Sequence, residues 1–431
     1  MNYYSLNRQS PTVSFAEAAV KGQAPDKGLY FPQSIPALPN EFIANLKQYT
    51  KEEIGFKVMQ PYVGDSIPAA VLQQMINETI AFPFPLVPVS DKISSLELFH
   101  GPTLAFKDVG ARFMSRCLGY FNRNGNNKVT VLVATSGDTG GAVANGFLGV
   151  EGVEVVILYP SGKVSPIQEL QLTTLGQNIK AIEVKGNFDD CQAMVKQAFT
   201  DADLNKKLML TSANSINVAR WLPQQLYYFF ALQQWQEEKP PVICVPSGNF
   251  GNICAGILAW VSGLPVQHFI AACNANDIVP AFMQQGQYTP KPAIATISNA
   301  MDVGNPSNFI RVLELFHQQF SELQQHFDSW SISDEQTKQT LGKVYKEYGY
   351  LLDPHGAVAF NVLDKYLETH KEERGIILET AHPVKFPETV EAITGVPIEM
   401  PESAKELLHK QKQSILMDAN FDALKEWLMN Q

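Results

Sequence analysis

The sequence has few cysteines and lacks the patterns in which cysteines are usually paired. Five are spread over 431 residues, and no two form a Cys-x-x-Cys pair. An odd and scattered set argues against a disulfide framework and gives no zinc-binding pattern. We therefore expect buried free thiols and no metal site.

The chain also lacks an excess of basic residues and any long apolar run. Lys plus Arg number 33 and Asp plus Glu 43, so the formal net charge is −10. This argues against a nucleic-acid or anionic-membrane surface, although a small anionic ligand needs only local positive charge. No stretch approaches the roughly 20 apolar residues that span a bilayer. The first residues show no basic segment followed by an apolar one, so we expect a cytoplasmic protein without a signal peptide.

Common nucleotide and metalloprotease motifs are missing as well. Gly162-Lys163 is followed by Val164 and has no upstream glycine, so it is not a P-loop. No G-x-G-x-x-G follows a strand, and there is no H-E-x-x-H. The usual nucleotide and zinc chemistries therefore have no support in the sequence.

What is present is an alternation of apolar runs with helical patterns. Most of the runs are followed by a Gly-, Ser- or Asn-rich turn or a polar link. The predicted strands are 129–134, 153–159, 179–184, 242–245, 269–272 and 376–378. Such alternation predicts an α/β fold with mostly parallel open sheets, which bind ligands beyond the carboxyl ends of their strands.

Three further segments have simpler patterns. Residues 67–80 predict a helix, and the proline-rich residues 82–88 predict an extended connector that is neither helix nor central strand. The tail, 402–431, is charged and predicts helices without strands.

Two glycine-rich turns follow predicted strands. Residues 136–140 (Ser-Gly-Asp-Thr-Gly) precede a helix expected to start near Gly141, and residues 248–252 (Gly-Asn-Phe-Gly-Asn) precede a helix over 253–261. Successive N–H groups and a helix N-terminus suit a carboxylate at the first turn and a phosphate at the second. A plain capped turn without a ligand is the alternative for each.

Two cationic residues, Lys107 and Arg220, have sequence neighbours that suit a functional role. Lys107 has apolar neighbours, and desolvation of an amine favours nucleophilic or Schiff-base chemistry. The alternative is a solvated lysine paired with Asp108. Asn214, Asn217 and Arg220 lie together at a predicted helix start, where they would either bind an oxyanion or merely cap the helix.

These motifs, taken in order, resemble a known family. Residues 99–108, 136–140 and 248–252 resemble the lysine, carboxylate and phosphate segments of pyridoxal-phosphate enzymes with the tryptophan-synthase β fold. Within that group they resemble the threonine synthase family. Matches at 27–32, 353–357 and 380–383 extend the resemblance over almost the whole chain.

The resemblance implies roles for individual residues. Lys107 would form a Schiff base with pyridoxal 5'-phosphate and then act as acid and base. Thr380 would hydrogen-bond the ring nitrogen of the cofactor. The expected contacts of the cofactor phosphate are Gly248, Asn249, Phe250, Gly251 and Asn252. Asp138 stands where many relatives carry an asparagine that donates to the cofactor, and because an ionised Asp cannot donate, its contact stays open.

The implied substrate is O-phospho-L-homoserine. Its carboxylate would bind Ser136, Gly137, Thr139 and Gly140. Its phosphate would bind Asn214, Asn217 and Arg220, with Lys163 as a weaker candidate. His100 and His355 are further acid/base candidates, for which a structural role is the alternative.

The implied reaction converts O-phospho-L-homoserine and water to L-threonine and phosphate, by γ-elimination and β-addition of water. A related phospho-lyase or amino-acid dehydratase on the same scaffold is one alternative. A cofactor-binding protein without catalysis is another. The expected partners are small molecules, in a monomer or a homodimer.

The resemblance also suggests a domain organisation. Residues 1–96 would form an N-terminal segment that packs on the larger domain. Residues 97–220 would form a smaller α/β domain with Lys107, and residues 221–431 a larger one with the phosphate loop and a helical tail. The cofactor would lie between the two domains.

Overall fold

The computed structural model describes residues 1–123 and 128–431, which form three sheets surrounded by helices. The strands are β1 Asn2–Ser5, β2 Val13–Ser14, β3 Tyr30–Pro32, β4 Leu86–Pro88, β5 Ile93–Glu97, β6 Val129–Ala134, β7 Val153–Pro160, β8 Ile179–Lys185, β9 Met209–Thr211, β10 Val242–Pro246, β11 His268–Cys273, β12 Phe327–Ser331, β13 Gly375–Glu379 and β14 Ile415–Asp418.

The helices are α1 Phe15–Lys21, α2 Asn40–Ala44, α3 Lys51–Val63, α4 Ala69–Thr79, α5 Lys107–Asn122, α6 Asp138–Phe147, α7 Pro166–Thr173, α8 Phe188–Thr200, α9 Ala202–Lys207, α10 Val218–Trp221, α11 Leu226–Gln234, α12 Gly251–Val261, α13 Ile278–Gln285, α14 Phe309–Leu315, α15 Phe320–His326, α16 Asp334–Tyr348, α17 Pro354–Thr369, α18 Pro387–Thr394, α19 Glu402–Lys405 and α20 Phe421–Met429. Short 3-10 turns include Leu222–Gln225 and Pro383–Lys385.

Two of the sheets are open and mostly parallel. The larger has the strand order β12-β11-β10-β13-β5-β4, in which only β4 is antiparallel to its neighbour. The smaller has the order β14-β8-β7-β6-β9 and is parallel throughout. The predicted α/β class is therefore confirmed, and the six strands predicted from apolar runs are all present. In the part of the chain that the structure describes, no helix is long and apolar enough to cross a membrane.

The N-terminal segment is built around a small antiparallel sheet of order β2-β1-β3. Tyr3 and Phe15 are fully buried and belong to the same hydrophobic cluster as residues of α5, α11 and α12. Arg311 on α14 anchors this segment to the larger sheet's helices, because its Nη2 donates to the carbonyl of Tyr30 at 2.8 Å.

The proline-rich connector contains a short strand at its end. Leu86–Pro88 pairs antiparallel with β5 and forms the edge of the larger sheet. An edge position tolerates proline, since the missing N–H is not needed by a second neighbour. The prediction that this run is not a central strand is thus confirmed, and the helix predicted over 67–80 corresponds to α4.

The tail differs from the expectation of helices without strands. Strand β14 pairs in parallel with β8 and extends the smaller sheet, and α20 packs its Leu424 and Leu428 into the same cluster as strand residues of that sheet. The tail was expected in the larger domain. Its strand β14 and helix α20 instead pack on the smaller sheet. Its strand escaped detection because it has only four residues, three of them exposed or nearly so.

The two faces of β14 allow a matched test of this arrangement. Met417 is 9 % exposed and packs into the core, whereas Leu416 is 57 % exposed. We expect Met417→Asn to lower the free energy of unfolding by about 2–3 kcal/mol, because it removes apolar contacts and buries an amide. Urea unfolding followed by circular dichroism measures the loss. Leu416→Asn is the control and should change stability by less than about 0.5 kcal/mol; equal effects of the two changes would contradict the placement of β14.

Candidate active site

Lys107 opens helix α5 directly after a segment that lies along the end of β13. The N–H of Phe106 donates to the carbonyl of Thr380 at 2.9 Å, and the N–H of His382 donates to the carbonyl of Leu104 at 3.0 Å. Ala105 and Ala381 form an antiparallel bridge between these bonds. The helix start that carries Lys107 is thereby fixed beside Thr380, at the carboxyl end of the larger sheet.

The surroundings of Lys107 favour its neutral form. Burial lowers the pKa of Lys107, the anionic Asp138 opposes this shift, and the nearby cations Lys385 and Arg220 reinforce it. Asp108 is not its ion-pair partner. The Asp108 carboxylate instead accepts hydrogen bonds from the N–H and the hydroxyl of Thr103. Lys107 is therefore not the solvated Lys–Asp pair considered as an alternative.

Asp138, the first residue of α6, forms a buried ion pair across the two sheets. Its Oδ1 lies 2.7 Å from Nζ of Lys385, and the two side chains are 4 % and 0 % exposed. The same oxygen accepts a hydrogen bond from Nε2 of Gln168 at 2.9 Å. Burial by itself would raise the pKa of Asp138, but Lys385, Lys107 and the Gln168 amide hold it well below its usual range. Asp138 is thus an anion that accepts hydrogen bonds and cannot donate one.

Some of the N–H groups in the loop at residues 136–140 already have a hydrogen-bond acceptor in the neighbouring Thr135. Thr135 Oγ1 accepts hydrogen bonds from the N–H groups of Gly137, at 3.0 Å, and Gly140, at 2.8 Å. Gly137 has φ +136°, and a Cβ there would meet the Gln168 side chain at 2.5 Å, so the position requires glycine. Helix α6 begins at Asp138 and not near Gly141 as expected. The N–H groups of Asp138 and Thr139 then belong to its first turn, where no intrahelical acceptor exists.

This loop also presents hydroxyl groups. Ser136 and Thr139 are partly exposed at the same helix start. Together with the first-turn N–H groups they form a site that suits a carboxylate.

The glycine-rich turn after β10 has the features of a phosphate site. Phe250 adopts the left-handed conformation (φ +60°) and caps α12, which leaves the first N–H groups of that helix directed at the loop. Gly248 packs on the backbone of Met301, and a Cβ would meet the Met301 Cα at 2.6 Å. Asn252 is buried; its Oδ1 accepts from the Tyr228 hydroxyl at 3.0 Å, and its Nδ2 has no partner among the described residues.

An unpaired buried amide is costly unless a ligand completes it. The loop therefore fits an anionic group such as the phosphate of pyridoxal phosphate.

A polar network joins this loop to the segment that follows β9. Ser215 Oγ accepts hydrogen bonds from Nδ2 of Asn249 at 3.1 Å and from Nδ2 of Asn308 at 3.0 Å. Arg311 Nη1 donates to the Asn308 side chain at 2.8 Å and to the Ser215 carbonyl at 3.2 Å. Asn249 is thus used to hold the loop in place.

The four residues expected at the substrate phosphate differ in burial and in hydrogen-bond partners; they are Asn214, Asn217, Arg220 and Lys163. Asn217 is fully buried; it caps α10 through the N–H of Ala219 and donates to the carbonyl of Ala19 at 2.8 Å. Its side chain therefore already has hydrogen-bond partners in the fold, and the expected substrate role stays a prediction. Asn214 is partly exposed, and Lys163 is exposed beyond the end of β7.

Arg220 is 2 % exposed and packs against α5 at Gly110. Its Nη1 donates to the carbonyl of Ala213, while its Nε has no partner among the described residues. Burial lowers the pKa of Arg220 to about 10, so it stays protonated at neutral pH. Arg220 remains a cation close enough to Lys107 to influence its protonation.

The two candidate histidines have structural partners. His355 is buried, with Nδ1 2.9 Å from the Asp353 carboxylate and Nε2 accepting from the N–H of Ala300 at 3.2 Å. Both ring nitrogens are therefore engaged. His100 lies toward solvent, 2.7 Å from the Glu97 carboxylate. The geometry favours a structural role for both.

Two site residues were missed by the sequence analysis, Lys385 and Gln168. Lys385 lies between Val384 and Phe386, just after Thr380. The apolar flanks that drew attention to Lys107 are present there too, so the same criterion could have identified it. Gln168 forms a capping box with Ser165 at the start of α7, a pattern that gives no sign of its bond to Asp138.

Comparisons with known families agree with this geometry. The family described as pyridoxal-phosphate dependent enzyme matches residues 94–379. The families described as threonine synthase N terminus and threonine synthase, C-terminal match residues 2–80 and 356–428.

Individual relatives cover the whole chain. The threonine synthase of Haemophilus influenzae is 45 % identical over 431 residues, which is 100 % of both chains. The crystal structure of threonine synthase from Escherichia coli is also 45 % identical, with a TM-score of 0.93 and 100 % coverage of both chains. A PLP-bound threonine synthase from Brucella melitensis is 34 % identical, with a TM-score of 0.94 over 100 % of this chain and 99 % of that one.

The segment after Thr380 makes the protein sensitive to acid. Burial, aided by nearby His100, lowers the pKa of His382 to about 4. Its Nδ1 accepts a hydrogen bond from the N–H of Val384 at 3.1 Å, and protonation would destroy that acceptor. An unfolded histidine takes up a proton near pH 6.5, so this contribution to stability is complete above pH 6.5 and is lost as the pH falls toward 4.

We therefore expect His382→Asn, which can keep the cap but does not titrate, to weaken the pH dependence of stability. Between pH 7 and pH 5 the wild-type protein should lose about 2 kcal/mol more unfolding free energy than the variant. Urea unfolding at the two pH values measures this difference. Equal losses of unfolding free energy between pH 7 and pH 5 in both proteins would show that His382 is not the group responsible.

Proposed function

The chain belongs to the threonine synthase family of pyridoxal-phosphate-dependent enzymes, and on this basis we propose that it converts O-phospho-L-homoserine and water to L-threonine and phosphate. The observation that carries the proposal is the position of Lys107. It is an amine with a lowered pKa, fixed at a helix start beside Thr380, at the carboxyl end of the larger sheet. Mere binding of a cofactor does not require such an amine.

The residues around Lys107 divide into groups that suit a phosphate, a ring nitrogen and a carboxylate. We assign the cofactor phosphate to the loop from Gly248 to Asn252, supported by the unpaired Asn252 amide. We assign Thr380 as the residue that hydrogen-bonds the ring nitrogen of the cofactor. The position of Thr380 beside Lys107 supports this assignment. When bound, the cofactor supplies an electron sink for carbanionic charge at the substrate's α-carbon.

The substrate's own groups bind on the opposite side, at the smaller sheet. Its carboxylate occupies the helix start from Ser136 to Gly140, where the N–H groups of Asp138 and Thr139 have no intrahelical acceptor. Lys107 would remove the proton at the α-carbon and return protons to the carbon chain, which its lowered pKa favours. Asn214 and the cations Arg220 and Lys163 stabilise the departing phosphate at the γ-carbon.

The arrangement of the chain follows from these assignments. We propose that residues 97–220 act as a smaller domain and most of residues 221–431 as a larger one, with the cofactor between them and residues 1–96 on the larger domain. The five cysteines are free and buried, which suits the reducing cytoplasm. A monomer or a homodimer is the expected state.

The reaction itself is tested by product analysis. We expect purified protein to absorb visible light because of the cofactor and to release threonine and phosphate in equal amounts from O-phospho-L-homoserine. Lys107→Ala should lose both the absorption band and turnover. Formation of 2-oxobutyrate in place of threonine would favour the alternative phospho-lyase, and wild-type protein that stays colourless with added pyridoxal phosphate would contradict the cofactor assignment.

The two cations at the substrate phosphate should differ in their effects. We expect Arg220→Ala to lower kcat/KM by about 10- to 100-fold, because removal of a buried charged donor costs about 1.5–3 kcal/mol. Lys163→Ala should lower it by less than about threefold, since an exposed charge is screened. Steady-state assays of phosphate release measure both, and thermal unfolding of each variant serves as the control. Unchanged turnover in Arg220→Ala would remove this residue from the site.

A further inference from the structure

Lys385 is a buried cation to which the reaction outlined above assigns no role. Its side chain is fully buried and makes its ion pair with Asp138 Oδ1. That oxygen also accepts the Gln168 amide, and the second oxygen, Oδ2, accepts no hydrogen bond from any residue that the structure describes. Asp138 is in turn close enough to Lys107 for each to influence the charge of the other.

We propose that Lys385 is a positioning residue, which with its buried ion-pair partner Asp138 sets how much of Lys107 carries a proton. The inference deepens the proposed function, since it rests on the assignment of Lys107 as the reactive amine. A bare carboxylate beside Lys107 would favour the protonated amine, which is inert as a base and as a nucleophile. Lys385 opposes that effect and, through its ion pair, keeps the anion in place.

Charged groups from several elements face these residues. Lys107 is influenced by Asp138 on α6, by Lys385 in the turn Pro383–Lys385 and by Arg220 on α10. Lys385 also acts on Asp108 in α5 and on His382 in its own turn. Arg220 and Lys385 both favour the neutral form of Lys107, and Asp138 is the group that opposes them. The protonation of Lys107 therefore depends on the balance between one anion and two cations.

The balance can be measured on full-length protein from which the cofactor has been removed. Short pulses of acetic anhydride at a series of pH values acetylate the neutral amine, and mass spectrometry of Lys107 gives the midpoint of its rate–pH profile. Lys385→Met removes the charge at similar length, and Lys385→Arg retains it. Lys412→Met is the control, because Lys412 is also ion-paired, in its case with Glu169 and Glu183, but lies just before β14 in the smaller sheet.

We expect Lys385→Met to raise the midpoint by about one pH unit and Asp138→Asn to lower it by about one unit. Lys385→Arg and Lys412→Met should stay within about 0.3 unit of wild type. The double variant Asp138→Asn/Lys385→Met removes both charges. Its Lys107 midpoint should lie within about half a pH unit of the wild-type midpoint. A purely structural role for Lys385 predicts changes in stability without this pattern of opposite shifts.

Two results would overturn the inference. One is a midpoint in Lys385→Met that is unchanged or lowered. The other, which applies even if that variant does not fold, is a midpoint in Asp138→Asn that is not lowered. Threonine formation is measured separately on the wild-type holoenzyme. The absence of threonine would therefore contradict the proposed function. The midpoints of Lys107 would still test the role of Lys385 independently.

Discussion

The buried ion pair between Asp138 and Lys385 is the contact on which the site depends. It joins the start of α6, at the end of β6 in the smaller sheet, to the turn that follows β13 in the larger sheet. Removing one partner of such a pair typically costs about 3–5 kcal/mol, because the other charge is left buried and unpaired. The pair thus fixes both the distance between the sheets and the charge beside Lys107.

Local donors have to capture the phosphates that this family handles, because the chain as a whole repels them. The formal net charge is −10, which disfavours anions at long range. At the site, however, the first turns of α6 and α12 have N–H groups without an intrahelical acceptor, and Arg220, Lys385 and Lys107 are cations or potential cations. Binding is therefore governed by short-range amides and desolvated charges, which are effective because little water is present to screen them.

The sequence predicted what local pattern controls and missed what only the folded chain brings together. Apolar runs and glycine-rich turns located six strands and both loops, and the family resemblance identified Lys107 and Thr380. Strand β14 was missed because most of its side chains are exposed and it forms only by pairing with β8. The pairing of Lys385 with Asp138 was missed because the two residues are 247 positions apart in the chain. The capping role of Asn217 was one of two alternatives, because sequence cannot tell an amide that caps a helix from one that binds a ligand.

The polar character of the contacts between the sheets has a consequence for substrate entry. Near Lys107 the smaller sheet is held to the larger one by the Asp138–Lys385 pair and, at the phosphate loop, by Ser215 with Asn249 and Asn308. The neutral hydrogen bonds of Ser215 exchange with water at a lower net cost than apolar burial, since each broken bond is replaced by a solvent bond, whereas the buried charges of the ion pair make it costly to break. The N-terminal sheet, in contrast, is attached through the apolar cluster around Tyr3 and Phe15. Relative movement of the two sheets therefore costs least at the phosphate loop, and the hydrophobic cluster, which contains strand residues of both sheets, holds them together.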